Sequence, residues 1–290
     1  MKEYFFTDLA YENHALYGDG QAKIREYAVG RKKEIRVWTL DIQNEDEAKR
    51  YRRAKGRYVT ILCEAIWKLN QEGTDLLCRL LARETQILLQ NLLPQKREAY
   101  RLLVVGLGNP FFTVDALGAE TVKNVRVTGD VPSEDGTPYR VFAIAPGVPA
   151  DTGLETVRHL EGILHAVNPD AVIAVDALKA GSYERLASSI QISDSGICPG
   201  SGVGRRNQAL NKETLGIPVV AIGIPTVVDA ATLIQDAMIG GGIREIPQRM
   251  REILEKEKGF LVCPKESDLI VRSGSLLLSS AIDLLAQGIS

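Results

Sequence analysis

The chain has 290 residues, enough for one large domain or two modest ones. Hydrophobic residues make up 45% and charged residues 25%, which is ordinary for a globular protein. The formal net charge of −2 gives no overall attraction to nucleic acid or acidic lipid. The four cysteines form no CxxC pair, which argues against a structural zinc site and favours a reducing cytoplasm. We find no signal-peptide core and no apolar stretch of the roughly 18 residues that a membrane helix needs.

The first hundred residues are predicted to form an extension of strands and helices that packs on the rest of the chain. Residues 35–40 alternate between apolar and polar side chains, as a half-buried strand does. Residues 58–62 are rich in β-formers and make a natural partner strand. Between these two strands acids precede bases, which suits the dipole of a short helix. Leucines at helical spacing predict an amphipathic helix over residues 72–93.

From residue 101 onward, strand patterns alternate with helix patterns. The predicted strands are 101–106, 140–145, 171–176, 189–193, 217–223 and 260–263. The predicted helices are 114–124, 153–167, 179–187, 226–238, 243–257 and 268–287. Such alternation indicates an α/β fold with a mostly parallel central sheet and helices on both faces. We expect residues 101–290 to form this core, with residues 1–100 packed on it as one integrated domain.

The segment around Asp115 combines a buried strand, a glycine turn and the start of a helix. Gly106 and Gly108 permit a tight turn after the strand, and Asn109 tolerates the unusual dihedral angles of such turns. Thr113 can cap the following helix, which places Asp115 in its first turn. Because open α/β sheets bind ligands at the carboxyl ends of their strands, Asp115 is a candidate catalytic residue.

A second carboxylate, Asp176, ends the apolar run of residues 171–175. Asp115 and Asp176 are both followed by Ala-Leu. Each has a simpler interpretation, as an acid that favours a helix N-terminus or caps the next helix. Together in one crevice, two carboxylates raise the pKa of one of them, so that one holds a proton while the other activates water. The pair therefore predicts acid–base chemistry.

Other motifs leave the function more open. Residues 145–156 either line the same crevice or form an ordinary turn into a helix, and the Gly/Ser-rich loop 194–204 either lines a substrate site or lies on the surface. Phe111 stands where a dinucleotide fingerprint needs its third glycine, so nucleotide binding is the weakest hypothesis. The absence of HExxH and GxSxG argues against a zincin-type metal site and a serine nucleophile. We expect no metal and no cofactor.

Many of these segments resemble the germination protease family of spore-forming bacteria, endopeptidases that degrade small acid-soluble spore proteins. The matching segments cover nearly the whole chain, and the longest spans residues 213–230. The others are residues 7–10, 56–60, 104–109, 113–118, 145–148, 152–156, 168–170, 175–178, 190–197, 199–204 and 264–266.

The resemblance implies a three-layer α/β/α fold, shared with hydrogenase-maturation proteases. It implies an aspartate-dependent endopeptidase, made as a zymogen and assembled as a homotetramer in the cytoplasm of the forespore and spore core. Small acid-soluble spore proteins would be its substrates, without direct contact to nucleic acid or membrane. The two catalytic aspartates of the family correspond to Asp115 and Asp176. We expect Asn109, Glu155 and Asp194, in matching motifs, to support the site or line the substrate.

The chain also departs from the family pattern. Val114 replaces a proline before the first aspartate, and Lys179-Ala180-Gly181 replaces Ala-Ala-Arg after the second. A shorter segment around Gly240 stands in place of a long insertion, and the segment before Thr7 is short.

Residues 8–12 have the order acidic, apolar, small, any, acidic, which resembles a spore-protein cleavage site. Asp8, Leu9, Ala10 and Glu12 therefore suggest an autoprocessing or self-inhibiting segment, although a helix start has the same pattern. Two rivals to an aspartate protease remain open at this point. One is a metal-sensing peptidase of the maturation type, with a carboxylate–histidine site, and the other is a non-catalytic spore protein that binds a partner.

Overall fold

The centre of the fold is a mixed β-sheet. The computed structural model describes residues 7–18, 22–94, 98–130, 137–199, 208–243, 247–256 and 260–288, and within them nine strands form one sheet. The strands are β1 (Lys23–Val29), β2 (Ile35–Ile42), β3 (Gly56–Leu62), β4 (Tyr100–Gly106), β5 (Tyr139–Ile144), β6 (Ala171–Ala180), β7 (Ser189–Ser193), β8 (Val219–Asp229) and β9 (Leu261–Val262).

The strands are ordered β1-β2-β3-β7-β8-β6-β4-β5, and β9 pairs with β8. The four strands β8, β6, β4 and β5 pair in parallel, whereas β1, β2, β3, β7 and β9 join by antiparallel pairing. The predicted three-layer α/β/α architecture is confirmed. Because β3 pairs with β7, the N-terminal strands extend the same sheet.

Helices cover both faces of the sheet. They are α1 (Ala10–Tyr17), α2 (Glu45–Tyr51), α3 (Gln71–Leu92), α4 (Leu117–Asn124), α5 (Pro149–Thr152), α6 (Thr156–Val167), α7 (Lys212–Leu215), α8 (Ala230–Gly240), α9 (Gln248–Lys256) and α10 (Ser267–Ala286). One face packs against α3, α4 and α10 in the largest hydrophobic cluster, which includes Leu81, Leu117 and Leu278. The opposite face packs against α6 through Val157 and Leu160.

Contrary to the sequence analysis, one stretch is long and apolar enough to cross a membrane: helix α10, the one helix in the described part of the chain that meets this test. Its most apolar window is 61% buried within the fold. Residues such as Ile270, Leu278 and Ile282 face the core. A buried core helix has this composition, so the length and hydropathy of α10 are weak evidence for a membrane span.

Two predicted helices were wrong in their placement. The prediction over 179–187 fails because β6 continues as a strand to Ala180, and only a short 3₁₀ turn, Tyr183–Arg185, follows. Likewise β8 continues to Asp229, so the helix predicted from residue 226 begins at Ala230. The long pairing of β6 with β8 explains both differences, because it overrides the local helical pattern.

Smaller corrections concern other boundaries. Strand β1 was missed, since its side chains are mostly exposed and show no apolar alternation. The helix predicted over 153–167 begins at Thr156. The short helix α5 precedes it and is capped by Gly153, whose φ of 71° is left-handed. The helix predicted from residue 114 begins as a 3₁₀ turn, Thr113–Asp115. Of the helix predicted over 243–257, residues 244–246 and 257 lie outside the described residues.

Candidate active site

A cavity of about 370 Å³ opens at the carboxyl ends of the parallel strands, and both predicted aspartates line it. Asp115 reaches it from the turn after β4, and Asp176 from β6. The N-terminal segment, β7 and β8 supply other parts of the wall, including Asp8, Gln191 and Gly223. The structure thus brings Asp115 and Asp176 to one cavity, as an open α/β sheet does for residues at its strand ends.

The glycine turn after β4 fixes the position of Asp115. Gly108 has a φ of +97°, and a Cβ on it would lie 1.9 Å from the carbonyl oxygen of Asp115, so only glycine fits. The backbone N–H of Asn109 donates a hydrogen bond of 2.7 Å to Asp115 Oδ2. Burial raises the pKa of the Asp115 carboxyl, and this hydrogen bond opposes the shift. The predicted supporting role of Asn109 thus has a defined contact, made by its backbone.

Asp176 is the more deeply buried of the two acids, with a residue exposure of 6%. Its Oδ1 accepts a hydrogen bond of 2.9 Å from the backbone N–H of Ala177. Burial raises the pKa of Asp176 well above its ordinary value, and the negative charges of Asp115 and Asp8 raise it further. Asp176 is therefore the acid of this site that holds its proton most strongly.

The N-terminal segment Thr7–Glu12 lines this cavity with Thr7 and Asp8 and is held by hydrogen bonds to β6. The N–H of Asp8 donates to the carbonyl oxygen of Lys179 at 2.8 Å. The N–H of Lys179 donates to Asp8 Oδ2, also at 2.8 Å. Leu9 is fully buried in an apolar cluster with Leu178, Ala180 and Val228. The predicted segment of residues 8–12 thus lies at the candidate site.

Glu12 ties this segment down at its other end. Glu12 Oε2 accepts hydrogen bonds from the hydroxyl of Thr7 and, at 2.7 Å, from the N–H of Gly181. Arg53 donates to the carbonyl oxygen of Thr7. Burial raises the pKa of the Glu12 carboxyl, and the charge of Arg185 is among the contacts that oppose the shift. The carboxylate is therefore a structural anchor between α1 and the end of β6.

Gln191 on β7 is a site residue that the sequence analysis did not single out. Its Nε2 donates to the carbonyl oxygen of Asp8 at 2.7 Å, and its Oε1 accepts from the N–H of Ala10 at 2.6 Å. Gln191 is the middle residue of β7 and lies in the matching segment 190–197, and membership of that segment was the available signal. A glutamine inside a strand is not recognisable as a site residue until the segment that it binds is placed beside it.

The other predicted supporting residues lie farther from the cavity. Asp194 accepts a hydrogen bond of 2.6 Å from the backbone N–H of Arg57 and is not among the lining residues, although Ser193 and Ser195 are. Burial raises the pKa of Asp194. Glu155 is exposed at the N-terminus of α6 and does not line the cavity. Residues 200–204 of the predicted Gly/Ser-rich loop lie outside the described residues.

Val114 and Lys179, two residues at which the chain departs from the family pattern, each form a contact that supports the fold around the site. The carbonyl of Val114 accepts a hydrogen bond of 2.7 Å from the hydroxyl of Thr226 on β8, which fixes the turn that carries Asp115. Lys179 is buried, and its ammonium group lies 3.7 Å from Asp229 Oδ2 at the end of β8. Lys179 and Asp229 thus form an ion pair between β6 and β8 at the edge of the site.

Metal ligands are not clustered in the described residues: no group of three or more His, Cys, Asp or Glu is arranged to hold a metal ion there. His14 packs against the rings of Trp38 and Tyr51. His159 and His165 lie on α6 and do not line the cavity. The site offers carboxyl groups, backbone amides and carboxamides, among them that of Gln191, which suit proton transfer and the binding of an extended chain.

Comparison with known sequences shows which proteins this chain is similar to. The sequence model of the germination protease family matches residues 8–271, a range that includes Asp115, Asp176 and Gln191. The chain belongs to the germination protease family. The predicted resemblance is confirmed, and the family is one of peptidases.

Individual relatives agree with this assignment. The germination protease of Clostridium perfringens is 36% identical over 97% of this chain and 94% of its own length. That of Caldanaerobacter subterraneus is 35% identical over the same shares of the two chains. That of Priestia megaterium is 41% identical over 88% of this chain and 69% of its own length.

Proposed function

We propose that this chain is an endopeptidase that hydrolyses small acid-soluble spore proteins during germination, with Asp115 and Asp176 as its acid–base pair. The observation that carries the proposal is the burial of Asp176 in the same cavity as Asp115, with a pKa raised well above its ordinary value. Two carboxyl groups that differ in how strongly they hold a proton can divide the roles of base and acid. Family membership supports a protease.

In the proposed mechanism, ionised Asp115 removes a proton from a water molecule. The water oxygen forms a bond to the carbonyl carbon of the peptide, whose oxygen becomes an oxyanion. Protonated Asp176 then donates its proton to the amide nitrogen, the C–N bond breaks, and an acid and an amine leave. Asp115 takes the base role because it is less buried than Asp176 and is held by the N–H of Asn109. No cofactor takes part.

The segment of residues 8–12 is proposed to occupy the site as a substrate-like part of the chain itself. Its backbone hydrogen bonds to the carbonyl oxygen of Lys179 and to the side chain of Gln191 support this role. It can act as an autoprocessing site, a self-inhibiting segment or both. The family resemblance supports a zymogen and a homotetramer in the cytoplasm of the spore core, and we include these in the proposal.

Mass-spectrometric digestion tests the proposal. A purified small acid-soluble spore protein is incubated with wild type, Asp115→Asn, Asp176→Asn and, as a matched control, Asp75→Asn on the exposed side of α3. We expect discrete fragments with wild type and the control, and none with either site variant. No cleavage by wild type, before or after mild acidification, would favour a partner-binding protein without catalysis. Cleavage that survives both site substitutions would place the chemistry elsewhere.

A further inference from the structure

Gln191 forms two hydrogen bonds to backbone atoms of the docked segment, residues 8–12. Its two hydrogen bonds go to the carbonyl oxygen of Asp8 and to the N–H of Ala10, at 2.7 and 2.6 Å. These two groups flank Leu9, whose backbone is extended, with φ of −93° and ψ of 119°. In an extended chain the carbonyl of one residue and the N–H two residues later point to the same side, where one carboxamide can bind both.

The sheet places Gln191 opposite the proposed catalytic acid. Asp176 on β6 is in register with Gly223 on β8, and Gly223 is in register with Gln191 on β7. In-register residues on neighbouring strands face the same side, so Asp176 and Gln191 stand two strands apart, about 10 Å between Cα atoms. Gly223 between them lines the cavity, and the side chain of Leu178 lies over it, 2.5 Å from where a Cβ of Gly223 would stand. Leu178 also packs with Leu9, so the docked segment, Gln191 and Asp176 surround one buried leucine.

The burial of Gln191 makes this contact specific. Only 8% of the residue is exposed, so an unpaired carboxamide would be costly there. Its neighbours on β7, Ile190 and Ile192, are fully buried and fix the strand. A carboxamide held in this way is preorganised for a chain with one free carbonyl and one free N–H, whatever its side chains are.

We propose that Gln191 is a substrate-positioning residue that holds the substrate backbone on both sides of one residue, beside Asp115 and Asp176. The inference rests on the proposed function, because it takes the docked segment as a copy of the bound substrate. Gln191 selects a backbone that is extended at the residue between its two contacts, as it is at Leu9 before α1 begins. The side-chain preference of the enzyme comes from other contacts, such as the apolar cluster around Leu9. Because both contacts form on binding, they lower KM and leave kcat nearly unchanged.

The contact between Gln191 and the substrate N–H is tested by removing each partner separately and then both together. The probe is a labelled peptide that contains Thr-Asp-Leu-Ala-Tyr-Glu, the sequence of residues 7–12. In a second peptide lactic acid replaces the alanine, so that an ester oxygen stands where the N–H was. Full-length wild type, Gln191→Ala and the exposed control Gln90→Ala are compared by mass spectrometry of the same amide cleavage. We expect the ester to lower kcat/KM about tenfold, through KM, for wild type and control.

For Gln191→Ala we expect a loss of about tenfold or more with the amide peptide and no further loss with the ester. An equal penalty of the ester in wild type and Gln191→Ala would overturn the inference while leaving the proposed function intact. A loss confined to kcat would also overturn the inference, because a contact that positions the substrate is expected to change KM. Gln191→Glu keeps the oxygen that accepts the N–H, so it should stay sensitive to the ester even if the alanine variant does not fold. No cleavage of the amide peptide by wild type, before or after mild acidification to release the docked segment, would overturn the proposed function and this inference together.

Discussion

Asp8 and Lys179 exchange hydrogen bonds at the edge of the candidate site. The N–H of Asp8 donates to the carbonyl oxygen of Lys179, and the N–H of Lys179 donates to the carboxylate of Asp8, each at 2.8 Å. Lys179 lies three residues after Asp176 on β6. The pairing thus brings the carboxylate of Asp8 toward Asp176, where its charge helps to raise the pKa of Asp176. The docked segment and the proposed catalytic acid are electrostatically coupled.

Truncation of Leu9 to alanine is expected to release this segment. Leu9 is fully buried, and removal of such a side chain costs about 2–5 kcal/mol. Because the segment lies at the N-terminus and outside the sheet, we expect faster amide hydrogen exchange at Ala10 and Gly181, with β4 and β6 still protected. Leu154→Ala is the matched control, since Leu154 is 50% exposed. Equal exchange in wild type and Leu9→Ala would show that the hydrogen bonds hold the segment without Leu9.

Asp176→Asn is expected to stabilise the fold at neutral pH. The pKa of Asp176 is raised in the folded chain, so the folded state holds the proton more strongly than the unfolded state does. Stability therefore falls as pH rises from the ordinary value of about 3.9 through the raised pKa, and the full cost is present above it. Asparagine does not titrate and lacks this cost.

The measurement is the Tm of both proteins as a function of pH. The Tm of Asp176→Asn should exceed that of wild type at pH 7 to 8, by roughly 2–4 °C per kcal/mol for a chain of this size. The difference should shrink as pH falls toward about 4. Asp75→Asn, on an exposed helix surface, is the matched control. A lower Tm for Asp176→Asn at neutral pH would contradict a strongly protonated Asp176.

The pH profile of peptide cleavage should be bell-shaped. Asp115 must be ionised and Asp176 protonated, and burial raises the pKa of both. Activity should rise as Asp115 loses its proton and fall as Asp176 loses its own, with both limbs above the pKa of about 3.9 for an ordinary aspartate. The experiment is kcat/KM against pH, with Asp75→Asn as control. A rate that keeps rising into the alkaline range would exclude a protonated acid in the reaction.

Gly108→Ala is expected to remove activity by displacing Asp115. A Cβ at this position would lie 1.9 Å from the carbonyl oxygen of Asp115, and the φ of +97° is unfavourable for alanine. We expect a loss of stability above about 1 kcal/mol and at least a hundredfold loss of kcat/KM, because small misplacements of a catalytic group are costly.

Gly162→Ala on the exposed side of α6 is the matched control, since a Cβ there meets no atom within 4 Å. Alanine should stabilise that helix by about 0.5–1 kcal/mol and leave activity unchanged. Denaturant unfolding and peptide cleavage, measured on both variants, separate the two effects. Wild-type activity in Gly108→Ala would show that the turn does not position Asp115.

The candidate aspartates were predictable because their signals are local. An apolar run, a glycine turn and a carboxylate lie within a few residues of each other at Asp115, and a similar run precedes Asp176. The rule that sites form at the carboxyl ends of parallel strands then places both residues at one edge. The ends of β6 and β8 were not predictable in this way, because residues 179–180 are strand only through pairing with Val227 and Val228.

Gln191 shows the limit of sequence reasoning most directly. Its role depends on hydrogen bonds to Asp8 and Ala10, which lie more than 180 residues away in the chain. By contrast, the alternation of strands and helices, the glycine turn and the family were predictable from the sequence, since each is encoded in short segments. The groups that face each other across the cavity, and the rise in the pKa of each acid, follow from the fold. Both depend on burial and on charges from distant parts of the chain, which no local pattern records.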